Sequence, residues 1–191
     1  MTTEEILSLF KQSHALLEGH FQLTSGLHSP NYFQCAKVLQ YPAYTKQLCA
    51  EIVHRFHGIR IDIVLAPALG GIVVGQEVGR QLGVRSMFAE RKDGVMQLRR
   101  GFEIVPGERI LVCEDVITTG GSVREVIDIV KRRGGVIAGV ASIVDRSGGS
   151  VSLPGLYSTM TMQVVSYDSR ACPLCRDGVP IDMPGSRSRT N

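Results

Sequence analysis

The plainest chemical potential in this sequence lies in two adjacent acids, Glu114 and Asp115, followed after Val116 and Ile117 by Thr118, Thr119, Gly120, Gly121 and Ser122. The acids close an apolar run that starts at Ile110. Behind the loop, Val123, Val126, Ile127 and Val130 share one helical face, and Lys131, Arg132 and Arg133 fill the last turn before Gly134 and Gly135. A strand, a loop of small residues and a helix start therefore follow one another. A helix N-terminus exposes unpaired N–H groups and about half a positive charge. Glycines permit close backbone approach and hydroxyls add donors, so the pattern builds a phosphate cradle. It lacks the lysine of GxxxxGK[ST] and the spacing of GxGxxG, which excludes a Walker loop and a dinucleotide fingerprint. Carboxylates beside a bound phosphate repel it unless they face another group, and sugar hydroxyls are natural donors to them. The implied ligand is a ribose 5-phosphate.

Other residues offer weaker signals. Pro67-Ala68-Leu69-Gly70-Gly71 ends a second apolar run and forms a strand-to-helix turn whose N–H groups could hold another anion, although alone it reads as a tight turn. Arg91, Lys92, Arg99 and Arg100 crowd a polar segment, residues 91–101, that reads as a mobile loop. Arg146 directly follows Val144-Asp145, at the end of a run where α/β proteins place their sites. Cys172 and Cys175 have zinc-knuckle spacing, but a tetrahedral site needs four ligands and the sequence shows no second CxxC or nearby HxxxH. Neither a metal nor a redox role is assigned to them. His54 and His57 mark the solvated side of a helix.

The elements that must position these groups follow from periodicity. Thr2 and Glu5 have capping-box spacing, and Ile6, Leu9, Phe10, Leu16 and Leu17 extend a helical pattern over residues 3–18, ended by Gly19. Phe21 with Leu23, and later residues 32–35, read as two short strands around a loop, and Pro42 opens a helix. From Ile61 the pattern becomes short apolar runs at 61–66, 84–89, 110–113 and 136–144, with a weaker one at 160–165. Helices fill the gaps after the first and third, the rhythm of a parallel sheet. The 191 residues suit one domain: a hood of residues 1–40 plus a C-terminal segment, a core of about 41–168, and a tail, 186–191, expected to lose order.

A net charge of +3 without a run of like charges implies no nucleic-acid partner. An acidic N-terminus and the absence of a long apolar run imply no membrane span and a cytoplasmic protein with reduced cysteines.

The stretch ILVCEDVITTGGS, residues 110–122, resembles the 5-phosphoribosyl 1-diphosphate (PRPP) motif of type I phosphoribosyltransferases. That resemblance implies their fold, a central mostly parallel sheet flanked by helices with a small N-terminal hood. It also implies that Glu114 and Asp115 hold the ribose hydroxyls, and that residues 116–122 (Val116, Ile117, Thr118, Thr119, Gly120, Gly121 and Ser122) bind the 5-phosphate region. Mg²⁺ would accompany the diphosphate, which Ala68, Leu69 and Gly70 would contact through backbone alone, because a lysine common there in the family is absent.

Residues 19–33 are similar to the base-covering hood of orotate phosphoribosyltransferases. By that likeness Tyr32 and Phe33 form a stacking wall, and Arg146, with Thr118, binds orotate. Arg91 and Lys92, with Arg99, would belong to a lid over the diphosphate that reaches the partner's site in a homodimer. A lysine and a histidine of the family's lid have no match at Val95 or Gln97, and some members carry a lysine where Thr24 stands. The alternatives are a phosphoribosyltransferase for another base and a PRPP-sensing regulator without catalysis. The latter would need a DNA-binding module, and the residues before the first sheet strand show no basic helix-turn-helix.

Overall fold

The computed structural model describes residues 1–23, 25–163 and 165–184. Thr24 and the tail at 186–191 lie outside them. The elements run α1 (Thr3–Gln12), β1 (Leu16–Gln22), β2 (His28–Phe33), α2 (Ala36–Leu39), α3 (Pro42–Arg55), β3 (Ile63–Pro67), α4 (Gly70–Leu82), β4 (Arg85–Lys92), β5 (Val95–Leu98), β6 (Arg109–Ile117), α5 (Gly121–Arg132), β7 (Val136–Asp145), β8 (Leu156–Thr161) and α6 (Pro173–Arg176). Six strands form one sheet in the order β5-β4-β3-β6-β7-β8. All neighbours are parallel except β4 and β5.

Both faces of this sheet are covered, which is why its strands read as continuous apolar runs. Val64, Leu111, Cys113, Ala141 and Ile143 belong to one core cluster, shared with α1, α3 and α4. Ile63, Leu65, Ile110, Val112 and Val140 point the other way, into a cluster with α5. The period-2 alternation of side chains thus divides the central strands β3, β6 and β7 between two cores. The chain leaves β3 toward β4 and returns to place β6 on the opposite side of β3. The crevice where neighbouring strands connect in opposite directions is where α/β sheets bind ligands.

Three expectations from sequence need correction. The first helix stops at Gln12, and Leu16 and Leu17 lie in β1. His14 adopts φ of 52°, and the Ala15 N–H reaches the Phe10 carbonyl (2.8 Å) while His14 N–H reaches that of Lys11 (3.0 Å). This is a Schellman closure built without glycine, so no residue type announces it. Residues 91–101 are largely a β-hairpin: β4 and β5 pair across Asp93-Gly94, both with positive φ (53° and 79°). The Asp-Gly dipeptide is the signal for such a turn, hidden by the charge around it. The last parallel strand begins at Leu156, earlier than the 160–165 run, and ends at Thr161. As an edge strand with one neighbour it carries Ser158 and Thr159, which weakens its apolar signature.

The hood is built differently. β1 and β2 pair antiparallel from Leu16 opposite Phe33 to Gln22 opposite His28, with an irregularity between Glu18 and Phe21. The C-terminal segment docks alongside: His28 and Tyr167 exchange backbone bonds (2.9 and 2.8 Å), and Gln22 N–H and His20 carbonyl both bond Asp182 (2.9 and 2.8 Å).

Candidate active site

Parallel strands bring the loops after β3, β4, β6 and β7 to one sheet edge, so residues far apart in sequence meet there. The central element is the end of β6. Glu114 is buried and Asp115 half-buried, and the Asp115 N–H donates to Glu114 Oε1 (3.1 Å). Burial first, and then the neighbouring Asp115 carboxyl, push the Glu114 carboxyl up to about 9. The pair therefore holds a proton at neutral pH.

Both acids lie against the first turn of α4. A Cβ on Gly71 would stand 2.8 Å from Glu114 Oε1, and one on Gly70 would come within 2.5 Å of Asp115 Cγ. Only glycine leaves room for the acids here. The Ala68 N–H is committed to the Ala89 carbonyl (2.8 Å), which leaves the Leu69 and Gly70 N–H groups at the open end of α4 as anion donors. The Ala68–Leu69 peptide is cis, and the Leu69 side chain stands 83% exposed.

Beyond the acids, the loop runs into α5 as the sequence pattern requires. Gly120 sits at the N-cap with φ of 75°, a conformation that side chains disfavour, and a Cβ there would also meet Val151 Cγ1 at 3.0 Å. The Arg124 N–H is the one that reaches back to the Gly120 carbonyl (3.0 Å), so the N–H groups of Gly121, Ser122 and Val123 have no helical acceptor. Glu114 and residues 116–123 line a hollow of about 60 Å³. Thr118 and Thr119 are exposed at its rim, whereas the Val116 and Ile117 side chains are anchored in the two cores. Those two residues shape the hollow and offer it backbone.

Arg146 follows β7, and its N–H bonds the Ile117 carbonyl (2.8 Å), so it stands next to the phosphate loop. Its Nε is buried without a hydrogen-bond partner among the described residues. Burial lowers the guanidinium's pKa, and the nearby Tyr32 phenol pulls it partly back. An unpartnered buried donor costs roughly 1–3 kcal/mol, so it marks a place that an anionic acceptor would fill. Tyr32 packs against Phe21 (centroids 5.8 Å apart) on this side of β2. Phe33 does not join it. Successive strand residues face opposite ways, and Phe33 is 6% exposed, edge-on to Phe10 at 5.0 Å in the main core.

The cations of the β4–β5 hairpin are held within the chain. Arg91 makes a two-pronged pair with Glu125 of α5 (2.7 and 2.9 Å) and also bonds the Gly94 carbonyl (2.9 Å). Arg100 grips Glu90 with two bonds of 3.0 Å, and Arg99 approaches the same carboxylate at 3.4 Å. Lys92 is exposed and has no ion pair among the described residues.

Residues 44–160 match the family model described as a phosphoribosyl transferase domain. Over 189 residues, 98% of each chain, the sequence is 61% identical to the orotate phosphoribosyltransferase of Chlorobaculum parvum. The chain belongs to the orotate phosphoribosyltransferase family. Its fold is similar to the orotate phosphoribosyltransferase of Aeropyrum pernix, with a TM-score of 0.70 and 21% identity over 82% of this chain and 93% of that one. It is also similar to the adenine phosphoribosyltransferase of Rhodothermus marinus, with a TM-score of 0.67 and 18% identity over 84% of this chain and 100% of that one. Proteins named for different bases share this architecture, so the fold by itself does not choose the base.

Sequence reasoning missed Gly71 as the residue that admits Glu114, and Glu125 as the partner of Arg91. Neither pairing has a local signature, since each joins elements separated by tens of residues. It also missed that His20 and His28 stand beside Cys172 and Cys175.

Proposed function

We propose that this chain transfers the 5-phosphoribosyl group of PRPP to N1 of orotate, giving orotidine 5′-monophosphate and diphosphate in pyrimidine synthesis. The observation that carries the choice of base is the buried Arg146 Nε, without a hydrogen-bond partner among the described residues, beside Tyr32 on the sheet edge that holds the acid pair and the phosphate loop. Orotate brings a carboxylate to satisfy it, and adenine does not. Tyr32 covers the base, and Thr118 stands between base and phosphate.

In this reading the N–H groups of residues 121–123 and the hydroxyls of Thr118, Thr119 and Ser122 hold the 5-phosphate, while Glu114 and Asp115 accept from the ribose hydroxyls. The bond from C1 to diphosphate oxygen breaks as the bond to orotate N1 forms, through an oxocarbenium-like state. Fixed carboxylates near the sugar stabilise its positive charge, and positioning does the rest. The oxygen donors of the acid pair suit a hard cation, so Glu114 and Asp115 would be the side chains to face Mg²⁺ that PRPP brings on its diphosphate. That ion would neutralise charge on the leaving diphosphate. Lys92 and Arg99 serve the diphosphate from the hairpin, Arg91 joins them on leaving Glu125, and the hairpin serves the partner's site in a cytoplasmic homodimer.

Steady-state assays with PRPP and a panel of orotate, uracil, adenine and hypoxanthine test the proposal. Turnover of orotate alone is expected. Turnover of a purine without orotate would move the chain to another base, and PRPP binding without any turnover would make it a sensor.

A further inference from the structure

In the hood, four side chains converge that the transfer reaction does not use: His20 on β1, His28 on β2, and Cys172 and Cys175 at α6. Their donor atoms all lie within 4.8 Å of one another. His20 Nε2 is 2.9 Å from His28 Nδ1 and 3.7 Å from each sulfur, and Cys175 Sγ is 3.3 Å from His28 Nδ1. A tetrahedral zinc ion, with metal–nitrogen distances of about 2.0–2.1 Å and metal–sulfur of about 2.3 Å, sets its donors roughly 3.3–3.8 Å apart. Four of the six donor separations, 2.9–3.7 Å, are close to that spacing, and no pair exceeds 4.8 Å, so a small contraction around an ion completes the set. We propose that His20, His28, Cys172 and Cys175 bind a structural zinc ion that fastens the C-terminal segment to the hood hairpin.

Three further observations support a metal over a chance meeting of polar groups. First, His20 Nδ1 lies 2.8 Å from the Val179 carbonyl, which can only accept, so Nδ1 carries the proton and Nε2 turns its lone pair toward the cluster. Metal-binding histidines are oriented in this way by a carbonyl on the opposite nitrogen. Second, His20, His28 and Cys172 are 3%, 6% and 1% exposed. A proton shared between the two imidazoles would satisfy that pair and leave the sulfurs without a strong partner, whereas one ion satisfies all four donors. Third, no carboxylate is among the four, and two sulfurs with two imidazoles form a set for zinc, not for magnesium or calcium.

The placement explains the need. A two-stranded hairpin is marginal by itself. His20 and Cys172 are 152 residues apart, so one ion closes a very long loop and fixes the segment that pairs with both strands.

The test uses the full-length protein purified under reducing conditions without added metal. Elemental analysis is expected to find about one zinc per chain. Replacement by Co²⁺ is expected to give the visible bands of a tetrahedral site and a thiolate-to-cobalt charge-transfer band. Cys175 is exposed, so Cys175→Ser should retain its far-UV circular dichroism while losing the bound zinc and the charge-transfer intensity. His28→Gln provides a second removal of one donor, and chelation of the wild type should lower its melting temperature. None of these readouts depends on turnover. A protein with reduced thiols that takes up neither Zn²⁺ nor Co²⁺, zinc held at wild-type affinity by Cys175→Ser, or a Cys172–Cys175 disulfide in the metal-free protein as isolated would each overturn the proposal.

Discussion

The sheet edge and the hood solve the same problem, holding polar groups in place, by opposite means. At the edge, Glu114, the phosphate loop and Arg146 extend from strands whose side chains fill two apolar cores, so the scaffold is stiff before any ligand arrives. In the hood, a short hairpin and a C-terminal segment meet through backbone bonds and a knot of His and Cys side chains. The difference teaches where each region should be vulnerable. Substitutions at the edge should cost chemistry and spare stability, while those in the hood should cost stability and, through Tyr32, the grip on the base.

The largest expected effect is at Asp115. Asp115→Asn keeps shape and removes a charge that matters most in the transition state, so kcat/KM should fall by about 10³-fold, corresponding to roughly 4 kcal/mol. Far-UV circular dichroism and melting should stay near wild type. Activity within tenfold of wild type would break the assigned role. Next is Arg146→Ala, expected to raise KM for orotate by about 10²-fold, as for loss of a buried charge-assisted pair, while KM for PRPP holds. An equal rise in both constants would place Arg146 in general scaffolding.

A smaller effect concerns stability and pH. Glu114 titrates at about 9 in the folded protein against 4.5 ordinarily. A carboxyl with a raised folded pKa contributes stability that is full below its unfolded value and is lost as pH rises through its folded value. The ligand-free protein should therefore soften between about pH 4.5 and 9. Glu114→Gln should flatten that slope and raise the melting temperature at pH 8 by about 2–8 °C, as expected for 1–2 kcal/mol in a chain of this size. Melting curves across pH without ligand check this, and an unchanged slope would count against a protonated Glu114.

The smallest is Glu125→Ala. Its pair with Arg91 is exposed on both sides (40% and 47%), so stability should change by less than about 1 kcal/mol. KM for PRPP should fall, because Arg91 loses a competing carboxylate.

The two regions also differed in how legible they were. Residues 110–122 announced strand, loop and helix because all the information is contiguous, and α5 buries the face its periodicity marks. The hairpin at Asp93-Gly94 was legible in principle, but its alternation is masked by Arg91, Lys92 and Arg99. Likeness to the family's hood places Phe33 beside Tyr32 in the stacking wall. Strand alternation, once register is known, sends it to the core. The hood cluster was invisible because Cys172 and Cys175 find their partners across the whole chain. Spacing within a motif reports only local ligands, and here topology supplies the others.

The proton that Glu114 keeps at neutral pH makes the site a proton-coupled latch. Ribose hydroxyls donate to an ionised pair, so PRPP must displace that proton on entry. Affinity for PRPP should strengthen as pH climbs toward about 9. Binding enthalpies measured in buffers of different ionisation heat should diverge in proportion to the protons released, so the chain would register substrate arrival as a change in acidity before any bond is broken.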